Sequence, residues 1–158
     1  MPEFSHSFTV DAPVEDVSAF HRDTGVLRQL TPLPIVAQVH AFEPLAEGSV
    51  ARFTLWFGPM PVRWQAVHSD VTALGFTDTQ VRGPLKSWRH THRFTPLGDG
   101  RTRVDDHIVY EHHTGWRGLA SRLLFARPGL LYLFTMRKLL TRRGVARLQK
   151  AARWSGGS

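Results

Sequence analysis

The chain reads GPLKSWRHTHRF over residues 83–94, and its alternation of residue types predicts the β-strand from which the rest of the fold follows. A β-strand points successive side chains to opposite faces, so Trp88, His90, His92 and Phe94 fall on one face. The other face carries Arg89, Thr91 and Arg93. Because the arginines belong in solvent, we predict that both histidines point inward, beside two aromatic rings.

The next segment completes a hairpin with this strand. A five-residue loop over residues 97–101 pairs His92 with Asp106 and Trp88 with Tyr110. This register keeps the inward face of both strands apolar or aromatic around the histidines. A slip by one residue would turn every inward side chain to solvent, so the pattern favours this register strongly.

The preceding strand adds further polar groups to the same inner wall. Six polar side chains are predicted to converge on a mostly apolar surface: Asp78, Gln80, His90, His92, Asp106 and Tyr110. A buried carboxylate beside a histidine is costly unless the two are hydrogen-bonded, so we expect these groups to pair.

Four interpretations of this polar group stay open. It is a satisfied part of the core, a patch that orients a ligand, a catalytic pair, or a metal site. In the catalytic version His92 is a general base whose tautomer Asp106 fixes, and Tyr110 or His90 is the acid. In the metal version His90 and His92 bind one ion with Asp106. Any strand offers that i, i+2 spacing, so we predict no metal and no cofactor.

The remaining pattern predicts an α+β fold. A strand at residues 4–10 precedes two short helices, the first entered at Pro13 and the second capped by Thr24. Six strands then follow, at 35–42, 49–57, 62–70, 75–81, 86–96 and 102–112. Short breaks between them imply an antiparallel meander. We therefore expect a curved antiparallel sheet of about seven strands wrapped around one long C-terminal helix, with a cavity between them.

The C-terminal helix, from Gly115 to about Arg153, carries two unusual features. An apolar stripe includes Phe134, and Arg137 lies in its middle. That arginine either extends along the helix edge to solvent or pairs with an inner carboxylate or an acidic ligand group. Pro128-Gly129 is expected to kink or break the helix, either as a bend that follows the sheet or as a cavity portal.

The amino-acid composition indicates a globular protein without cysteine chemistry. The 158 residues are 42% hydrophobic and 21% charged, as is usual for one globular domain, which we place at residues 1–154 with a flexible tail at 155–158. Cysteine is absent, which excludes disulfides, thiolate metal sites and a thiol nucleophile. The N-terminal residues lack a signal-peptide pattern, so the cytoplasm is the expected location.

Charge is concentrated at the C-terminal end. The formal net charge is +7, and residues 116–158 contain 10 Lys and Arg and no acidic residue. This asymmetry fits a solvated helix face or a weak contact with an anionic membrane. We expect no nucleic-acid partner, because no nucleic-acid-binding motif accompanies the charge. The sequence leaves the oligomeric state open.

The chain resembles the START-like, or SRPBCC, superfamily, and within it a polyketide cyclase/dehydrase-like bacterial branch. The resemblance is carried by residues 12–17, 30–32, 76–80, 83–94 and 106–111. It implies a helix-grip fold with a hydrophobic cavity. Members of the superfamily share no catalytic motif, so the resemblance transfers no catalytic residue to this chain.

These observations lead to one expected function and two alternatives. We expect a hydrophobic small molecule, such as a lipid, quinone or polyketide-like compound, to bind between the sheet and the C-terminal helix. The expected ligand-binding residues are Asp78, Gln80, Trp88, His90, His92, Tyr110, Phe134 and Arg137. The first alternative is a cyclase or dehydratase that uses His92 and Asp106. The second is a membrane-surface contact through the basic C-terminal helix.

Overall fold

Seven antiparallel strands form one sheet in the computed structural model, which describes residues 1–157. The strands are β1 (Glu3–Val10), β2 (Ile35–Phe42), β3 (Val50–Phe57), β4 (Met60–Thr72), β5 (Gly75–Arg82), β6 (Ser87–Pro96) and β7 (Thr102–Glu111). The helices are α1 (Val14–Arg22), α2 (Val26–Leu30), α3 (Gly115–Phe125) and α4 (Arg127–Ser155). The spatial order is β1-β7-β6-β5-β4-β3-β2, so the chain runs as a meander after α2 and closes beside its first strand.

The predicted hairpin register is confirmed. In the β6–β7 ladder His92 lies opposite Asp106, and Trp88 lies opposite Tyr110. Burial alternates along both strands, with the histidines inside and the arginines of β6 exposed. The two inward faces therefore stay in phase over the whole hairpin, as the period of two requires.

The two short helices between β1 and β2 are present, but the predicted cap of the second is wrong. Gly25, not Thr24, precedes the first residue of α2, and no side chain caps this end of the helix. Instead, the backbone N–H of Gly25 donates to the carboxylate of Asp23 over 2.7 Å. This local turn satisfies the N–H of the residue that precedes the helix, and no side chain takes the role expected of Thr24.

The C-terminal helix is broken, as predicted, but two residues before the proline. Ala126 has φ −68° and ψ 163°, which is extended backbone between α3 and α4. Pro128 then lies in the first turn of α4, where its missing N–H costs no hydrogen bond. A Cβ at Gly129 would come within 2.5 Å of the Leu124 carbonyl oxygen, so the close approach of α3 to α4 requires glycine there.

The core has two apolar clusters against the inner face of the sheet. One surrounds Trp88 and Phe134, and the other surrounds Phe20 and Phe94. Helix α4 contributes to both, because its stripe is buried from Leu130 onward. The long helix is thus held by the sheet at one end and by α1 at the other, which is the predicted helix-grip arrangement.

Two further findings concern the chain as a whole. No helix within residues 1–157 is long and apolar enough to cross a membrane. The predicted tail begins with Ser155, which is still helical, whereas Ser158 lies outside the described residues.

Candidate functional site

A cavity of about 110 Å³ lies between the sheet, α2 and the junction of α3 with α4. Fourteen of its lining residues are apolar: Val26, Leu27, Leu30, Phe42, Leu45, Ala51, Phe53, Leu55, Trp64, Ala66, Phe76, Trp88, Phe125 and Leu133. Several of them, including Leu27, Leu45 and Leu133, are only half-buried, so the cavity has an open mouth. A hydrophobic cavity of about 150 Å³ accepts benzene, so this space is of the size for one ring or a short alkyl segment.

Four ionisable side chains at one end of the cavity form what we call the floor cluster: Asp78, His90, His92 and Asp106. His90 Nε2 is hydrogen-bonded to Asp106 Oδ1 over 3.0 Å, and His92 Nε2 to Asp78 Oδ2 over 3.2 Å. The two imidazole rings overlap, with centroids 3.8 Å apart. Adjacent strands β5, β6 and β7 supply all four groups, so the sheet ladder fixes their positions.

The other two ring nitrogens also face the carboxylates, but not with hydrogen-bond geometry. His90 Nδ1 lies 3.3 Å from Asp78 Oδ2, and His92 Nδ1 lies 3.0 Å from Asp106 Oδ1. His92 Nδ1 is buried and finds no hydrogen-bond partner among the described residues. We therefore treat the Nδ1 contacts as charge attraction, since an ill-aimed donor gains little from a short distance.

Mutual attraction sets the protonation of the floor cluster. Burial opposes a charge on His92, but its contacts with Asp106 and Asp78 outweigh burial and raise its pKa to about 9. Burial likewise opposes ionised carboxylates, yet the two histidines hold the pKa of Asp78 and of Asp106 well below the usual range. At neutral pH the cluster therefore holds two carboxylates and a protonated His92.

Arg137 reaches the same cavity from α4. Its guanidinium carbon lies 5.2 Å from the ring centroid of Phe134, and its Nε is buried without a hydrogen-bond partner among residues 1–157. Burial lowers the pKa of Arg137, against the attraction of Asp106 and Asp78. No carboxylate of the described residues lies within 4.0 Å of the guanidinium, so the expected pairing with Asp78 is not a direct contact.

Two lining histidines were missed by the sequence reasoning. His21 on α1 contacts the Val17 carbonyl through Nδ1, where the neutral ring donates over 2.8 Å, and its ring lies 6.0 Å from that of His92. His68 on β4 contacts Ser49 Oγ through Nδ1 over 2.9 Å. Both positions carry a signal, because His21 follows Val17 by one helical turn and His68 continues the inward alternation of β4.

Four predicted site residues are not at the cavity surface. Gln80 turns toward the β5–β6 loop and hydrogen-bonds the Leu85 backbone over 2.8 Å. Tyr110 and Phe134 are buried in the core behind the lining. Asp106 lies behind the two imidazoles, so it can orient them but does not line the cavity. The predicted residues that do meet there are Asp78, Trp88, His90, His92 and Arg137.

Comparison with protein families gives one match. The family model described as "Polyketide cyclase / dehydrase and lipid transport" matches residues 1–153. A search of curated proteins found no match.

Several solved structures share the fold. A protein of Thermus thermophilus superposes with a TM-score of 0.71 at 20% identity, over 93% of this chain and 99% of its own. The Zhui aromatase/cyclase from a Streptomyces species gives 0.68 at 16% identity, over 99% of both chains. A nucleoside-diphosphate sugar epimerase from Corynebacterium glutamicum gives 0.71 at 22% identity, over 95% of this chain but 30% of its own. At these identities the likeness establishes the fold alone.

Proposed function

The chain belongs to the polyketide cyclase / dehydrase and lipid transport family, and from that premise we propose that it binds a hydrophobic small molecule in the cavity. The observation that carries the proposal is the composition of the lining, which is apolar everywhere except at the floor cluster, Arg137, His21 and His68. An apolar lining with a few convergent polar groups is typical of a small-molecule site.

The arrangement favours a ligand with one polar end. Its apolar part would pack against the aromatic side chains of β3 and β4, among them Phe53 and Trp64. An oxygen at its other end would lie near His92 and Arg137. A lipid, a quinone and a polyketide-like compound all have this character, and the open mouth lets a longer molecule extend out of the cavity.

Whether the bound compound is also converted is a separate prediction. His92 lines the cavity and, because it is protonated at neutral pH, would give a proton to a ligand rather than take one, as an acid and not as the expected base. Asp106 contacts both imidazoles but not the cavity, so its predicted role becomes that of a positioning residue. A compound bound by both the native chain and His92→Ala, but converted only by the native chain, would support the cyclase or dehydratase alternative.

The binding proposal is tested with the apolar fluorophore N-phenyl-1-naphthylamine. Ala66 is buried and lines the cavity, so Ala66→Phe fills space that a ligand needs. Ala146→Phe places the same ring on the exposed face of α4 and is the matched control. We expect saturable binding by the native chain and the control, and at least tenfold weaker binding by Ala66→Phe. Equal binding by all three would contradict the cavity as the site.

A second candidate function is contact with an anionic membrane, and one observation favours it. Trp116, Leu119 and Leu123 follow one another at helical spacing on α3 and are 80%, 70% and 80% exposed. Arg117 and Arg122 lie on the same helix, and Arg127 follows at the start of α4. An amphipathic helix of this composition lies in the interface of an anionic bilayer. The contact that we expected from the basic C-terminal helix is therefore assigned to α3.

The position of α3 links the two functions. Phe125 at its end and Leu133 on α4 both line the cavity, so the break at Ala126 lies beside the mouth. A protein seated on a bilayer through α3 would present this mouth to the lipid. The break is then the portal that the proline pattern suggested.

Liposome flotation tests the membrane contact. We expect the chain to float with vesicles containing phosphatidylglycerol, less at high salt, and not with phosphatidylcholine alone. Trp116→Ser should lose flotation, whereas Trp154→Ser, which removes an equally exposed tryptophan from the end of α4, should retain it. If α3 instead mediates pairing of two copies, neither the native chain nor any variant will float, and Trp116→Ser will lower the mass of the particle in solution.

A further inference from the structure

Three donor atoms at the cavity floor have the spacing of a metal site. Asp78, His90 and His92 each place one donor atom within 4.8 Å of the other two. Asp78 Oδ2 lies 3.3 Å from His90 Nδ1 and 3.2 Å from His92 Nε2. In a tetrahedral zinc site, bonds of 2.0–2.2 Å place neighbouring donor atoms about 3.3–3.6 Å apart. Two of the three separations are therefore already close to the length that coordination requires.

The second carboxylate occupies the place of a supporting group. Asp106 Oδ1 lies 3.0 Å from His90 Nε2 and 3.0 Å from His92 Nδ1. These are the two ring nitrogens that do not face Asp78. A metal-bound imidazole usually gives its other N–H to a carboxylate, which fixes the ring and raises its basicity. Here one buried aspartate is hydrogen-bonded to the His90 ring and lies 3.0 Å from Nδ1 of the His92 ring, without hydrogen-bond geometry.

Protons alone leave the floor cluster incompletely satisfied. Four ring nitrogens face two carboxylates, but hydrogen bonds form only at His90 Nε2 and His92 Nε2. The buried His92 Nδ1 finds no hydrogen-bond partner among residues 1–157. A metal ion at His92 Nε2 would fix the tautomer that carries its proton on Nδ1, on the side of the ring that faces Asp106.

The cavity supplies the open side of such a site. Asp78, His90 and His92 line it, whereas Asp106 lies behind the rings. A cation bound by the three would keep a free coordination position toward the cavity, where water or a ligand oxygen can bind. Two carboxylates balance the charge of a divalent ion, and the apolar walls exclude competing solvent.

We propose that Asp78, His90 and His92 bind a divalent transition metal ion, with Asp106 as the positioning residue for both imidazoles. Two nitrogens and one carboxylate oxygen suit Zn²⁺ or Co²⁺ rather than Mg²⁺ or Ca²⁺, which prefer oxygen alone. From the sequence we expected no metal, and the metal alternative had Asp106 as its third ligand. The geometry instead makes Asp78 the ligand and Asp106 the supporting group. This site does not depend on the identity of the organic ligand.

The test uses Co²⁺ and Zn²⁺ with the chelator-treated full chain at pH 7.5. We expect one Co²⁺ per chain, with the visible absorption of a tetrahedral complex, and displacement by Zn²⁺. Asp78→Asn keeps the size of the side chain and should abolish the spectrum. Asp106→Asn should bind the metal about 10–100-fold more weakly, because the supporting carboxylate is lost. His40→Ala removes an exposed histidine and should change nothing.

Thermal unfolding separates lost coordination from lost folding. Zn²⁺ should raise the Tm of the native chain and of His40→Ala, but not that of a folded Asp78→Asn. The near-ultraviolet circular dichroism of each variant reports whether the tryptophan packing is intact. Equal binding by Asp78→Asn and the native chain would mean adventitious surface binding only, and absence of the Co²⁺ spectrum from the native chain would equally overturn the site.

Discussion

Two buried histidines that line the cavity lie next to each other and have different charge states. His92 on β6 and His21 on α1 are 7% and 6% exposed, and their rings are 6.0 Å apart. The pKa of His92 is raised to about 9, whereas that of His21 is lowered to about 4. Burial opposes charge on both rings, so burial does not distinguish them.

Their partners distinguish them. The sheet places carboxylates of Asp78 and Asp106 within 3.2 Å of His92, and these outweigh the cost of burying its charge. Helix α1 offers His21 only the Val17 carbonyl, and the nearby positive charge of His92 adds to the effect of burial. The sheet side of the cavity is therefore ionic and the α1 side neutral, which gives a bound molecule two different polar environments.

The largest effect is expected from removing the partner on the sheet side. Asp106→Ala leaves His90 Nε2 without its hydrogen bond and His92 with one carboxylate instead of two. Breaking a buried ionic cluster in this way costs about 3–5 kcal/mol. Urea denaturation at pH 7 measures the loss in free energy of unfolding.

Asp105 is the matched control, because it is the next residue on β7 and faces solvent. Its carboxylate accepts the hydroxyl of Ser7 over 2.6 Å and pairs with Arg103 over 2.9 Å. Asp105→Ala should cost about 1 kcal/mol or less, as exposed ion pairs do. Similar losses for both variants would show that the floor cluster contributes no more to stability than a surface pair.

The sheet side could be predicted from the sequence, whereas on the α1 side the helical spacing indicates that His21 is buried but not how close it lies to His92. Strand alternation and a five-residue loop determine which residue of β7 lies opposite His92, and both are local properties of the hairpin. The distance from α1 to β6 depends on packing. A Cβ at Gly144 would come within 2.2 Å of Phe20, so α4 holds α1 close to the sheet at that glycine.

Gln80 shows a second effect of packing. Alternation places it inward with Asp78, and its backbone lies opposite Ala66 of β4, whose side chain lines the cavity. The pairing of β5 with β6 ends at Thr79, and the β4–β5 register shifts just beyond Gln80. There the carbonyl and N–H of Leu85 in the following loop hold the Gln80 side chain. Sequence periodicity thus predicts the face of a strand, but not which nearby backbone groups bind a polar side chain on that face.

The neutral state of His21 predicts a stability change in mild acid. The pKa is about 4 in the folded chain and near its ordinary 6.5 in the unfolded chain. The unfolded state therefore binds the proton more tightly, so this stability is present above pH 6.5 and is lost as the pH falls toward 4. At pH 5 the loss is about 2 kcal/mol relative to pH 7.

His21→Phe isolates this effect from the other titrating groups. Of the charged groups that act on His21, His92 and Asp106 keep their charge between pH 5 and 7, because their pKa values lie outside that window. The third, Arg137, keeps its charge because a guanidinium stays protonated in proteins. His6, His68 and His112 have lowered pKa values and contribute equally to both proteins. Urea denaturation at the two pH values should show a loss about 2 kcal/mol smaller in His21→Phe. Parallel losses would mean that folding does not lower the pKa of His21.

The smallest expected effect is on ligand affinity and concerns Arg137, whose charge acts on Asp78 and Asp106 of the sheet and on His21 of α1. Because no carboxylate of residues 1–157 pairs with its guanidinium, an acidic ligand group can supply the missing partner. A charged hydrogen bond is worth about 1.5–3 kcal/mol, so Arg137→Met should bind decanoate about tenfold more weakly or worse and decanol unchanged. Arg143→Met, on the exposed part of α4, should bind both as the native chain does.

Calorimetric titration distinguishes two ways in which this prediction can fail. If decanoate and decanol do not bind at all, the cavity is not a site for such ligands. If both bind and Arg137→Met changes the affinity for decanoate no more than that for decanol, Arg137 does not recognise the acid group. The ionic groups that act on a ligand are then only those of the sheet.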